Sequence, residues 1–268
     1  MEWYLPVIWA GLIGTAVAMY VILDGFDLGI GILFPFAADD RQRDQMMATV
    51  APFWDGNETW LILGGGGLLV AFPRAYAVIM PALYLPVIVM LLALVFRGVA
   101  FEFRTVSRSK TWLDVAFTAG STLAAFAQGV MLGGLIQGVK VANGAYAGGP
   151  LDWATPFAFL CGFAVIAGYG LLGATWLMLK TEGPVAARAR GQAKILLLAV
   201  LVFMGAVSLW TPLAEPRIAA RWFSTPNIYY LWPVPAVTAL VAYACWRWIG
   251  NTLFRKVFPR KRSGASWR

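Results

Sequence analysis

Long apolar runs dominate this sequence and restrict it to a fold that crosses a membrane several times. Seven such runs can be delimited, at residues 5–36, 47–72, 76–98, 112–137, 153–179, 193–213 and 228–249. About 20 apolar residues in a helix cross the hydrocarbon core of a bilayer. Only 13% of the 268 residues are charged, whereas soluble domains carry about 25%. We therefore predict an all-α polytopic membrane protein with about seven transmembrane helices in a single membrane domain, residues 1–250.

The basic residues predict the orientation of these helices. Of the 21 Lys and Arg residues, 17 lie in the loops at 37–46, 97–111 and 180–194 or near the C-terminus, and four lie on the opposite side. Cytoplasmic loops are enriched in Lys and Arg, so the N-terminus is predicted outside and the C-terminus in the cytoplasm. Residues 251–268 are predicted to form a basic cytoplasmic tail. This distribution along the helix ends argues against nucleic-acid binding.

Two acidic residues interrupt the first apolar run. Asp24 and Asp27 are three residues apart and share one helix face. Each costs roughly 2.5–3.5 kcal/mol at the middle of a bilayer, so neither is expected to face lipid. Gly25 and Gly29 lie on an adjacent strip, where missing side chains let another helix approach closely. The two carboxyls either have a function, which is our working hypothesis, or pair with a basic group solely to fix the packing.

A second polar patch, with two acids and a run of glycines, lies in the second apolar run. Asp55 and Glu58 again share a face, and Gly64 and Gly67 bound a stretch of four glycines that permits close backbone approach. Two geometries are open. Residues 40–53 form an interfacial helix with the acids at the cytoplasmic surface, or one continuous helix carries the acids into the membrane. We favour the continuous helix.

The third run ends in a stretch that contains two arginines and an acid. Arg97 or Arg104 can pair with Glu102 or with an acid of the first two runs. Alternatively, this stretch is a solvated edge at the membrane surface.

The chain contains no histidine. Most haem and transition-metal sites use imidazole ligands. If the protein takes part in redox chemistry, we therefore expect another chain to carry the metal.

Three strings identify a family that this chain resembles: Leu23–Gly29, Ala51–Leu61 and Phe96–Arg104. They closely resemble subunit II of the cytochrome bd quinol oxidases, including the cyanide-insensitive branch, and the resemblance extends from the N-terminus to about Gly250. It implies a heterodimer in the bacterial inner membrane that oxidises quinol and reduces oxygen to water. Subunit I would hold the b-type and d-type haems and the quinol site, while this chain would ligate no cofactor or metal and would not be catalytic alone. A small single-helix third subunit and membrane lipid are further possible partners.

The resemblance also implies roles for individual residues. Such oxidases are electrogenic because the protons for water come from the cytoplasm. A chain of intramembrane carboxyls is typical of a proton relay, and the resemblance implies that Asp27 (or Asp24), Asp55 and Glu102 match acids proposed to line that route. Trp60 matches a tryptophan at the mouth of a proposed oxygen channel. The predicted proton pathway consists of Asp24, Asp27, Asp55, Glu58 and Glu102.

The C-terminal part departs from the family pattern. The resemblance implies two four-helix bundles and a peripheral helix, but two membrane helices are not found after the seventh run. We expect one four-helix bundle and an incomplete second bundle. The shorter C-terminus is a natural form, a frameshifted product or a fragment.

Two other function classes are open. Paired acids in glycine-interrupted helices also occur at the midplane ion sites of secondary transporters. The Asp24–Asp27 patch has no counterpart after residue 112, however, and no internal repeat is evident. A purely structural scaffold, in which each acid is a satisfied packing contact, is the second alternative.

Overall fold

Helices form nearly all of the regular structure in residues 4–250, the part of the chain that the computed structural model describes. A short antiparallel hairpin, β1 (Val141–Ala142) and β2 (Ala145–Tyr146), lies in the connection between two of the helices. Asn143 and Gly144 turn this hairpin with positive φ angles, as tight hairpin turns require. The predicted all-α class is confirmed apart from this hairpin, and the predicted tail at 251–268 lies outside the described residues. The helices are α1 (Leu5–Leu33), α2 (Asp40–Ala48), α3 (Trp54–Ala71), α4 (Pro73–Phe103), α5 (Thr111–Ile136), α6 (Pro156–Lys180), α7 (Gly183–Ala214), α8 (Pro216–Trp222), α9 (Asn227–Leu231) and α10 (Pro233–Gly250).

Most of these helices can cross a bilayer. Within residues 4–250, six helical segments are long and apolar enough to do so: Leu5–Phe36, Pro73–Phe103, Thr111–Ile136, Pro156–Lys180, Gly183–Ala214 and Asn227–Gly250. They correspond to six of the seven predicted runs, which confirms a polytopic membrane protein. The remaining run corresponds to α3, whose 18 residues include Asp55 and Glu58. The number of crossings and their orientation stay predictions.

The continuous helix that we favoured for residues 40–72 is wrong. Helix α2 begins after Asp39, whose carboxylate accepts a hydrogen bond from the Gln42 amide, and it ends at Ala48. Turns occupy residues 49–53, and α3 begins at Trp54. Pro52 explains the break, because it has no amide proton to donate and it disfavours helical geometry in the residue before it.

Helices α1, α4, α5 and α6 pack together in a bundle. That it is the predicted four-helix bundle of the family stays a prediction. Helix α5 packs against α1, α4 and α6, and α1 also packs against α6 and α3. Glycines bring these helices close together. A Cβ atom on Gly120 would lie 2.6 Å from the Ala93 carbonyl oxygen of α4, so only glycine permits this approach. A Cβ atom on Gly29 would collide with the Tyr169 carbonyl of α6. Small residues at helix crossings are typical of membrane bundles.

The second half of the described chain packs more loosely. Helix α7 packs along α6, and α10 packs against α7. Long apolar side chains on these two helices are exposed, such as Leu213 and Leu240. A bilayer accepts such surface, because lipid tails are as apolar as leucine side chains. That these helices belong to an incomplete second bundle stays a prediction.

Candidate functional site

One arginine contacts both acids of the first helix. Asp24 and Asp27 lie on the inner face of α1 and are fully buried, and Arg97 of α4 is 1% exposed. The Arg97 Nη1 atom donates to Asp24 Oδ1 at 3.0 Å, and its Nη2 atom lies 3.9 Å from Asp27 Oδ2. Of the partners predicted for Arg97, the acids of the first two runs are therefore the ones that it contacts.

Helix α3 adds two polar side chains to this group. Glu58 Oε1 accepts a hydrogen bond from Arg97 Nη1 at 2.9 Å. Asn57 donates its side-chain amide to Asp27 Oδ2 at 2.7 Å. Because Asn57 also reaches the Leu23 carbonyl oxygen at 3.3 Å, it fixes α3 against α1 beside the acids. We call Asp24, Asp27, Glu58 and Arg97 the Arg97 cluster.

The Arg97 cluster contains more acids than bases. Three carboxyls face one guanidinium, so full ionisation would leave two uncompensated negative charges at a buried site. Such charges are costly in a low dielectric, and a bound proton removes one of them. Asp24 Oδ2, Asp27 Oδ1 and Arg97 Nε have no hydrogen-bond partner among residues 4–250. The arrangement is thus chemically able to hold a proton and to bind water.

A hydrogen-bonded row of side chains begins one helical turn from the cluster, at Tyr20. Tyr20 lies one turn before Asp24 on the same face of α1. Gln128 of α5 donates to the Tyr20 hydroxyl at 2.9 Å, and the Tyr169 hydroxyl of α6 donates to Gln128 at 2.6 Å. This row ties three helices together next to the acids.

A second arginine, Arg104, binds acids at the end of the bundle. It directly follows the last residue of α4 and has helical backbone angles. Seven residues after Arg97, it lies on the same face about 10 Å along the axis. Its guanidinium donates to Asp44 of α2 and Asp114 of α5. Burial raises the pKa of Asp44, but hydrogen bonds from Arg104 and Lys110 lower it by more, so its pKa lies below the ordinary value. Asp44 is therefore ionised at neutral pH and would lose these interactions only in acid.

Four aromatic rings pack against one another near Arg104. The centre of the Phe34 ring lies 5.0 Å from the centre of the Phe117 ring. The centre of the Phe117 ring lies 6.0 Å from that of the Phe101 ring. Trp54 lies 5.2 Å from Phe101 on the other side. Arg104 lies over Phe34, and Phe101 comes between Arg97 and Arg104 in the sequence of α4. We call these four rings the aromatic layer.

The other residues of the predicted proton and oxygen pathways lie apart from the cluster. Asp55 is exposed in the first turn of α3, and Glu102 is exposed near the end of α4. Neither forms an ion pair within the described residues. Trp60 is half-buried on α3, two residues after Glu58.

The predicted packing glycines lie at the contacts of α1, with Gly25 and Gly29 on α1 itself and Gly64 and Gly67 on α3. Gly25 faces the Tyr169 ring of α6, and Gly29 faces the backbone of the same helix. A Cβ atom on Gly64 or Gly67 would lie 3.3 Å or 3.2 Å from side chains of α1. These glycines thus lie at the contacts of α1 with α6 and α3.

Several polar residues of the site were not predicted. Asn57 lies inside the α3 motif, and its position between two acids was the available signal. Tyr20 and Tyr169 gave no local signal, because their partner Gln128 is 108 and 41 residues away in sequence. Asp44 lies in a polar loop segment and Asp114 at the start of the fourth apolar run, and both positions look like ordinary helix ends.

A family model and several curated proteins match this chain. The model of cytochrome bd terminal oxidase subunit II matches residues 5–259. The cytochrome bd-I ubiquinol oxidase subunit 2 of Escherichia coli strain K12 is 33% identical over 288 residues, which cover 92% of this chain and 76% of the relative. The cytochrome bd ubiquinol oxidase subunit 2 of Bacillus subtilis strain 168 is 32% identical over 205 residues, covering 73% of this chain and 61% of the relative.

Proposed function

The chain belongs to the cytochrome bd terminal oxidase subunit II family, and we propose that it delivers cytoplasmic protons to the site of oxygen reduction in a quinol oxidase. It is a subunit of a bd-type oxidase. In this proposal, its partner in the bacterial inner membrane is a subunit I that carries the haems and oxidises quinol. This chain contributes the proton access and supports the haem subunit.

The Arg97 cluster is the observation that carries this proposal. An ion pair used only for packing needs one acid for one arginine, whereas Arg97 faces three. Acids within a membrane are costly and mark ion or proton pathways. The excess of carboxyls favours a proton held among Asp24, Asp27 and Glu58. Water at the unpaired carboxylate oxygens would allow that proton to move.

Glu58 is the proposed entry to the cluster. Its side chain is 26% exposed, whereas those of Asp24 and Asp27 are fully buried. The aromatic layer argues against entry from the Arg104 side, because rings offer no groups that bind water in a chain. Asp55, exposed one turn before Glu58 on α3, is suited to collect protons for it. Glu102 is a second exposed acid at the same end of the bundle.

The residues of this chain do not suit a haem. It has no histidine, and most haem sites use an imidazole ligand. We propose that the b-type and d-type haems reside in subunit I. We also propose that Trp60 lies at the mouth of an oxygen channel. The proposed complex includes a small third subunit.

Replacing Asp24 by Asn tests the proposal. Asparagine fills the same space and can still accept from Arg97, but it cannot carry a proton. We expect quinol-driven oxygen uptake by the co-purified complex to fall on the order of tenfold or more. The reduced-minus-oxidised haem spectrum of the complex should stay unchanged.

The control variant is Glu182→Gln, at an exposed acid before α7 that forms no ion pair within residues 4–250. It should keep full oxygen uptake. Unchanged uptake in Asp24→Asn, or loss of haem together with uptake, would instead support the scaffold interpretation of the acids.

A further inference from the structure

A cleft of about 1160 Å³ opens at the end of the bundle that the charge distribution predicts to be cytoplasmic. It lies between the end of α1, helix α2, residues 108–110 and the first turns of α5. Basic side chains line one end of it, and apolar side chains of α5 line the other. The cleft is separate from the Arg97 cluster, none of whose members lines it.

The charged end of the cleft is suited to an anion. Arg108 is exposed and has no ion-pair partner within the described residues. Lys110 contacts Asp44 at 3.3 Å and Arg43 contacts Asp40 at 2.9 Å, so both are partly neutralised. Arg108 therefore supplies the free positive charge.

The start of α5 adds to this positive field. The helix begins at Thr111, and the residue before it, Lys110, provides no side-chain cap for the first amides. Uncapped amides and the helix dipole together attract negative groups. Asp114, an acid of the cleft, is already bound by Arg104, so it opposes an added anion less than a free carboxylate would.

The apolar end of the cleft runs away from these charges along α5. Val115, Ala119 and Leu123 are four residues apart, so they form one stripe about 12 Å long. All three side chains are exposed. In a membrane helix this stripe lies in the hydrocarbon region, directly next to the charged end.

We propose that this cleft binds an anionic glycerophospholipid. The phosphate lies at Arg108, Lys110 and the first amides of α5, and an acyl chain follows the stripe of Val115, Ala119 and Leu123. A soluble phosphate would use only the charged end, and an acidic peptide would leave the stripe uncovered. Basic pockets at the cytoplasmic side of membrane helices are typical binding places of anionic lipid headgroups.

Lipid binding by the full-length protein, purified with its partner subunit, tests this proposal. Native mass spectrometry would compare added dioleoyl phosphatidylglycerol with dioleoyl phosphatidylcholine. We expect the anionic lipid to bind preferentially, and Arg108→Gln to weaken its binding about fivefold, since one basic residue near the surface contributes about 1 kcal/mol. The matched control is Arg41→Gln, because Arg41 is exposed on α2 outside the cleft and its loss should leave binding unchanged.

Two more variants test the two ends of the cleft separately. Asp40→Asn removes a negative charge and should strengthen binding of the anionic lipid. Ala119→Trp keeps all charges but fills the apolar stripe, and it should weaken binding. Equal binding of the two lipids, equal effects of Arg108→Gln and Arg41→Gln, or displacement of the lipid by inorganic phosphate would each overturn the proposal.

Discussion

The Arg97→Leu variant is expected to lose the folded bundle, or to keep it with a free energy of unfolding reduced by about 3–5 kcal/mol. Leucine is similar in bulk but leaves three carboxyls without a cation, two of them fully buried. Removing one partner of a buried ion pair is more costly than replacing the whole pair. The measurement is the yield and melting temperature of the complex with subunit I, followed by detergent-resistant haem content.

A second substitution, added to Arg97→Leu, tells whether stability is lost through the missing charge or through the changed shape of the side chain. In the double variant Arg97→Leu with Asp24→Asn, one uncompensated carboxyl is gone, so part of the lost stability should return. Arg41→Leu, at an exposed arginine, should leave the melting temperature unchanged. If Arg97→Leu is as stable as the native chain, the acids do not depend on Arg97 and the proposed cluster is wrong.

The Gly29→Ala variant is expected to separate α1 from α6. The new Cβ atom would collide with the Tyr169 carbonyl and lie 2.7 Å from the Gly173 nitrogen. Both are backbone atoms, so no change of rotamer relieves the clash and one helix must shift. Overpacking of this kind costs about 1–3 kcal/mol or more, and the melting temperature of the complex measures it.

Two other glycines of α1 provide a graded control. At Gly25 the added atom would meet the Tyr169 ring at 3.0 Å, and a side chain can move, so Gly25→Ala should cost less. At Gly14 no atom lies within 4 Å, and Gly14→Ala should be neutral or slightly stabilising, since alanine favours helix. Equal effects at all three positions would contradict the close crossing of α1 and α6.

The burial of Asp24 and Asp27 could be predicted because it depends on local features. Their spacing places them on one face, and the cost of exposing acids to lipid turns that face inward. The same reasoning gave the approximate bounds of α1 and α5, because apolar runs end at charged loops. For α3 a continuous helix was preferred although Pro52 lies in this stretch, and the missing amide proton of Pro52 breaks the backbone hydrogen bonding there.

The partners of the two arginines could not be predicted. Arg97 and Arg104 lie in one short stretch with Glu102, and nothing local distinguishes them. Which acids each arginine meets depends on how α1, α2, α3 and α5 pack around α4. The contacts of Asp55 and Glu58 could not be predicted for the same reason. Both lie on one face of α3, but only Glu58 reaches Arg97.

Proton uptake by the Glu58→Gln variant tests the proposed pathway most directly. Glutamine keeps an oxygen that can accept from Arg97, so the cluster should stay assembled, but it cannot carry a proton. The complex would be reconstituted into vesicles, and a pH-sensitive dye would follow proton uptake on the cytoplasmic side during oxygen reduction. We expect uptake on the order of tenfold slower, with haem content unchanged and Glu182→Gln as fast as the native complex. Proton uptake by Glu58→Gln at the native rate would contradict entry through this residue and, with it, the role assigned to the Arg97 cluster.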